Sequence, residues 1–201
     1  MSENVSSYTP GSIIPLATST KRSWELGDMR QIATGTVSQK GLLVPSSNDE
    51  TSWFLSVRSV ERAGIFETSM LRQTVTIIEG EFLQLKVEGK SQGLELFRPL
   101  TLADRSSIEA TRPTEQLLIL HLAHDTSKVS GVVRLVELSK NREQYLFDGQ
   151  LGVLIQGQAI VNTADNESRM MLRDTVIGSE SEGVRLHGRG TLAVVSLDRN
   201  G

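Results

Sequence analysis

Three kinds of side chain in this 201-residue sequence could act on a ligand: three histidines, a few arginines beside strands, and acidic pairs around glycine turns. The histidines are His121, His124 and His187. Chelating a divalent ion on a sheet takes two imidazoles two residues apart on one strand face, with a carboxylate and a further imidazole close by. His121 and His124 are three apart and on a strand would face opposite sides. Neither follows a turn glycine. No metal and no cofactor is therefore expected; His121 reads as a core or pocket-lining residue and His124 as a loop residue. The chain has no cysteine, which removes thiolate nucleophiles, disulfides and cysteine-ligated metals. It has no Gly-x-Ser-x-Gly elbow, and no serine can be given a histidine base, so no catalytic residue is assigned. Glu79 and Glu81 flank Gly80 like an acid/base pair but read as a solvated hairpin rim. Ser179-Glu-Ser-Glu182 reads as a polar loop. Gly188-Arg-Gly190 reads as a turn with no helix start behind it to cradle a phosphate.

Arg72 is the side chain whose chemistry is most useful. It stands beside the strand expected over 73–78, where a guanidinium could hold a ligand carboxylate in a bidentate pair. An internal salt bridge, with Glu67 or Glu61 among the partners, explains it equally well. Along Thr51 to Val60 the residues alternate, with Trp53, Leu55 and Val57 on one face and Phe54, Ser56 and Arg58 on the other. Period-two alternation with aromatic and branched residues predicts a strand. One of those faces lines the inside, and the pattern does not say which.

The elements that must position these residues are strands. Further strands are expected over 72–78 and 82–87, joined through Gly80, and over 94–102, interrupted by Pro99, which belongs at an edge or bulge. Glu88-Gly-Lys90 has the composition of a tight hairpin turn. Leu117-Leu-Ile-Leu-His-Leu122 reads as a buried strand. Val153 to Ile155 is expected to end in a turn at Gln156-Gly157, with Ala159 to Val161 returning. No stretch keeps a 3.6-residue apolar period over three turns, so helices should be few and short. Ile13-Ile14 is the one apolar patch in a polar N-terminal arm.

Composition restricts the partners. Net charge is −3 and the basic residues are scattered, which argues against nucleic acid and anionic membranes. No apolar run approaches the ~20 residues of a membrane span. The first twelve residues lack the features of a signal peptide. A cytoplasmic protein is expected.

The halves look alike. Ser52 to Val60 matches Ser130 to Leu138 in pattern, the glycines at 80 and 157 correspond, and Leu117 to Leu122 lies over Leu192 to Leu197, all at offsets of 75 to 78 residues. This predicts a duplicated all-β protein. Residues 1–125 would hold the arm and a first sandwich, and 126–201 a second, more diverged one. The strand ending Ile77-Ile-Glu-Gly80, the hairpin after it and the strand carrying Leu100-Thr-Leu-Ala-Asp104 resemble the cupin layout. The order Trp24, Arg30-Gln-Ile32, Trp53-Phe-Leu-Ser56, Gly64-Ile-Phe66, Arg72 and Ile77-Ile-Glu-Gly80 is similar to the HutD/Ves family of bicupins, most densely over 24–110. The resemblance implies a double-stranded β-helix (jelly-roll) bicupin. With the residues above, the reading is a non-enzymatic, metal-free binder of a small anionic metabolite; the resemblance implies a link to histidine utilisation or its regulation, with urocanate or a formylated amino acid as the ligand class. The candidate ligand-binding residues are then Arg72, Trp53, Ser56, His121, Trp24 and Arg30. A metal-independent isomerase or lyase using Arg72 and His121, and a partner-binding protein pairing as a homodimer through sheet edges, are the alternatives.

Overall fold

The computed structural model describes residues 8–46, 50–66, 71–104 and 107–201. These divide into two units. The described residues within 19–33 and 53–126 form a central unit, and those within 1–18, 34–52 and 127–201 form a C-terminal unit. Residues 34–52, which the sequence places with the first half, belong to the C-terminal unit. There Gly35 to Val37 pair with the strand Leu43–Pro45, and Tyr8 donates its amide to the Leu43 carbonyl and its hydroxyl to that of Thr34.

In the central unit, one sheet runs in the order Leu100–Leu102, Arg72–Glu79, Leu118–His124, Trp53–Ser59, the strand Gly27–Val37 as far as residue 33, and Lys21–Trp24. A second runs Gly64–Ile65, Ile108–Pro113, Phe82–Val87 and Lys90–Glu95. Val75, Ile77 and Ile119 from the first sheet and Leu83, Leu85, Leu94, Ile108 and Ala110 from the second share one buried cluster. Burying such side chains supplies ~1.5–3 kcal/mol each and holds the sheets face to face. The hairpin after Val87 turns through Glu88 and Gly89, both at positive φ (48° and 77°), as a two-residue loop matched to strand twist requires. The strand expected over 94–102 is instead two. Lys90–Glu95 pairs with Phe82–Val87, Leu100–Leu102 pairs with Arg72–Glu79, and Pro99, which cannot donate to a ladder, lies in the crossing between sheets.

The C-terminal unit repeats this order. Thr175–Ile177, Gln150–Asn162, Arg185–Arg199 and Val129–Leu138 neighbour one another as Leu100–Leu102, Arg72–Glu79, Leu118–His124 and Trp53–Ser59 do. The duplication read at offsets of 75 to 78 thus falls on strands with equivalent places. Ile13–Ile14 adds to the edge at Thr175–Ile177. Two expected turns are absent: Gln150–Asn162 runs straight through Gln156-Gly157, and Arg185–Arg199 through Gly188-Arg-Gly190. The register shifts between Leu154 and Gln156, so the glycines serve a bulge. A Cβ on Gly157 would stand 1.9 Å from the Arg189 carbonyl oxygen, and one on Gly190 1.9 Å from that of Gln156. A glycine at positive φ (86° at Gly157) suits a bulge as well as a turn, which is why the sequence suggested the wrong one.

Among the described residues there is no α-helix, only a 3-10 turn at Leu16–Thr18, and no helix long and apolar enough to cross a membrane.

Candidate functional site

Three central strands form one wall, and their register fixes what it presents. Leu118–His124 lies between Arg72–Glu79 and Trp53–Ser59, pairing His121 with Val75 and Ser56, Ala123 with Gln73 and Phe54, and Ile119 with Ile77 and Arg58. Paired residues share a face, so Gln73, Val75, Ile77, Ile119, His121, Ala123, Phe54, Ser56 and Arg58 all point one way. The Ile77–Ile119 end belongs to the apolar core. Beyond it a cavity of about 750 Å³ opens, lined by Gln73, His121, Phe54 and Arg58 from the wall and by Trp24, Met29, Gln31 and Phe66 beside it.

Arg58 is the dominant charge of this cavity. It is 6% exposed, with its guanidinium carbon 5.0 Å from the Trp24 ring centre and 5.5 Å from that of Phe54. Its Nε donates to Ser56 Oγ at 3.0 Å. Trp24 is itself anchored: Nε1 donates to the Ser59 carbonyl at 2.9 Å, and its ring meets Phe66 edge-on with centres 5.4 Å apart. Cation–π contact in a desolvated setting is worth ~2 kcal/mol and holds the planar guanidinium against the rings. Arg22 adds a second positive charge to the lining and Glu25 one negative charge.

His121 is buried beside it. Burial, and then the Arg58 charge, push its pKa well below the ordinary imidazole value, so the ring is neutral at pH 7. Nε2 and Gln73 Oε1 are 2.8 Å apart; with the amide oxygen accepting, the proton sits on Nε2 and Nδ1 keeps a lone pair. Nδ1 has no hydrogen-bond partner, and a buried imidazole nitrogen left so costs ~1–3 kcal/mol. The cavity therefore offers a fixed cation and, beside it, a neutral imidazole whose unpartnered nitrogen is itself buried.

The six residues expected from sequence divide between the two faces. Trp24 and His121 line the cavity, and Ser56, wholly buried on the same face, holds Arg58. Arg72 and Trp53 instead flank His124 in one row of the opposite face. Arg72 donates from Nε to Asp104 Oδ1 at 2.7 Å and remains substantially exposed. Asp104 also accepts from the Thr126 hydroxyl at 2.7 Å; these bonds, Thr126's foremost, hold its carboxyl below the usual carboxylate range. Arg72 thus makes an ion pair, with Asp104 as partner rather than Glu61; Glu67 lies outside the described residues. Arg30 donates from Nη1 to the Ser19 carbonyl and does not line the cavity. His124 is the last residue of a strand and buried, where a loop was expected. Arg58 and Gln73 were not singled out. The signal for Arg58 was the alternation of Trp53 to Ser59, which named its face without saying that it was the inner one.

No family profile and no curated protein matches the chain. Solved structures do. A conserved protein of unknown function from Pseudomonas aeruginosa PAO1 is 15% identical, with 94% of this chain and 100% of that one covered at a TM-score of 0.78. HutD from Pseudomonas fluorescens SBW25, in a formate condition, is 15% identical, with 94% and 99% covered at 0.73. The chain has a HutD-like cupin fold. Protein Ylba from E. coli, 10% identical over 95% of this chain and 91% of its own at 0.65, extends the likeness. Cupin folds commonly house a divalent ion, and the donor set here does not suit one. The cavity presents a single imidazole, bonded to Gln73 and next to a fixed guanidinium, while His124 is on the opposite strand face. Among the described residues no three of His, Asp and Glu converge as a metal site would need.

Proposed function

We propose that this cupin-fold protein is a cytoplasmic binder of a small carboxylate metabolite, taken into the cavity of the central unit without being turned over. Arg58 carries the reading: a buried guanidinium clamped between two aromatic rings, facing space for a ligand, is suited to a planar anionic group. His121 refines the reading, since a ligand whose N–H or O–H reached its buried Nδ1 would satisfy a nitrogen that has no partner. A formylated amino acid, with a carboxylate and an amide N–H, meets both demands, as does urocanate through its ring N–H. Both belong to the histidine-utilisation link implied by the HutD resemblance, and the formate condition of the HutD structure makes formate the minimal probe.

A thermal-shift screen of formate, urocanate and formylated amino acids tests this. A bound ligand stabilises by RT ln(1 + [L]/Kd), ~2.7 kcal/mol at a hundredfold excess over Kd. The ranking expected is formylated amino acid or urocanate above formate, and absence of any shift defeats the reading. The lone pair on His121 is also what a general base needs, so a second reading is a metal-independent isomerase or lyase. Conversion of a bound ligand, lost in His121→Gln with binding retained, would establish that instead.

A further inference from the structure

The C-terminal unit holds a second cavity, of about 770 Å³, whose lining includes Lys140, Arg169, Arg189, His187 and Gln158 over a floor that includes Ile160. From this we infer a separate binding site for a small, multiply charged oxyanion, a phosphate compound or a polycarboxylate.

The strands bring these residues together by register. Ile160 pairs with Arg169 on one side and with His187 on the other, while Gln158 pairs with Arg189. The two arginines thus sit diagonally across the central strand on the face that Ile160 presents. The core side of the same strand is given to Ala159 and Val161, which pack with Met170 and Leu186. No carboxylate lines the cavity. Glu167 is on the same face two residues from Arg169, pairs with Asn162, and lies outside the lining.

Three features separate this group from an ordinary charged surface. First, none of Lys140, Arg169 and Arg189 makes an ion pair among the described residues, whereas Arg185, on the same strand as Arg189, is held by Glu143 at 3.0 Å. The charges of those three are left for a ligand to neutralise, and an anion lying over the central strand would do so. Second, Asn162 Nδ2 donates to His187 Nδ1 at 3.2 Å, which leaves Nε2 as the ring's N–H and makes His187 another donor. Third, Gly157 and Gly188 line the cavity, so no side chain stands over the floor at those two positions. Two guanidiniums, an ammonium, an imidazole N–H and an amide make a donor-rich set. A monoanion would leave most of it unused, which is why the ligand is assigned several charged oxygens.

Isothermal titration of the full chain with pyrophosphate and with citrate, at constant ionic strength, tests the inference and separates the two sources. One of them should bind saturably, and Arg169→Ala and Arg189→Ala should each weaken it by about tenfold, the loss of one charge-assisted contact. Both arginines are at the surface, so the variants should keep the wild-type melting temperature, and Arg58→Lys should leave this affinity unchanged. No saturable heat with either anion up to about 10 mM, far above a useful Kd, would overturn the inference. So would equal affinity in the arginine variants, or binding confined to an acidic polypeptide or nucleic acid.

Discussion

Replacing Gly157 by alanine tests whether the bulge, and with it the duplicated architecture, is built as described. The position has two costs that can be separated. Its φ of +86° is a conformation in which an L-residue loses about 1–2 kcal/mol. Its Cβ would also stand 1.9 Å from the Arg189 carbonyl oxygen and 2.7 Å from the Gly190 Cα. Both are backbone atoms of the paired strand, so no side-chain rotation relieves the overlap, and two strands of the unit's main sheet must part. Strain and overpacking together bring the loss to about 3–4 kcal/mol. Gly183 in the same unit supplies the control. Its φ is +55°, but the nearest atom to an added Cβ is the tip of Arg185 at 3.9 Å, so Gly183→Ala should lose only the conformational part, about 1 kcal/mol. In a calorimetric melt, at about 2–4 °C per kcal/mol for a chain of this size, Gly157→Ala should fall roughly 6–15 °C and Gly183→Ala roughly 2–4 °C. If the two variants melt together, the close strand approach at the bulge is refuted.

Other outcomes follow from the same geometry. Arg72→Ala removes an exposed pair with Asp104 and should cost no more than about 1 kcal/mol in urea unfolding; its carboxylate affinity should equal that of the wild type, and a loss of binding would return Arg72 to the site. His121 and His124 both have pKa values lowered chiefly by burial, so they take up a proton more readily unfolded than folded. Their contribution to stability is complete above the unfolded value near ~6.5 and drains away on acidification, at about 1.4 kcal/mol per pH unit for each histidine. Urea midpoints between pH 7.5 and pH 5 should show this slope, and His121→Gln should flatten it by about one proton. Asp104, whose pKa is lowered, loses its contribution only as pH falls below the ordinary carboxylate value of ~3.9, a separate window. An unchanged slope in the His121 variant would contradict its burial as a neutral ring.

What the sequence revealed and what it concealed have physical causes. The alternation at Trp53 to Ser59 and the apolar run at Leu117 to Leu122 are local signals, and both fall on strands, the second running on to His124. Which face looks into the cavity depends on register with strands 39 to 71 residues away, such as His121 opposite Ser56, and no local pattern contains that. Arg72 drew attention because it begins a strand and matches the HutD/Ves pattern. Its row faces Asp104, whereas Arg58, on the opposite face and level with Ile119, is carried inward. Gly80 and Gly157 looked like one signal used twice, yet one ends a strand and the other kinks one. A positive φ is common to both, and only the partner strand distinguishes them. The acidic pair Glu79 and Glu81 does not line the cavity, and the hairpin read there is instead a corner, since Arg72–Glu79 and Phe82–Val87 belong to different sheets.

The central claim, a carboxylate held by Arg58 in the cavity of the central unit, is tested most directly by ligand titration followed through Trp24 fluorescence. The chain has two tryptophans, and a Trp53→Phe background leaves Trp24, whose ring is 5.0 Å from the Arg58 guanidinium, as the reporter. A formylated amino acid or urocanate should change that emission saturably. Arg58→Lys, which keeps the charge and loses the planar fork, should weaken binding by about 10- to 100-fold, the 1.5–3 kcal/mol of a charge-assisted bond, while Arg72→Ala leaves it unchanged. A folded Arg58→Lys variant that binds with wild-type affinity, or no saturable response to any of these carboxylates, would contradict the account.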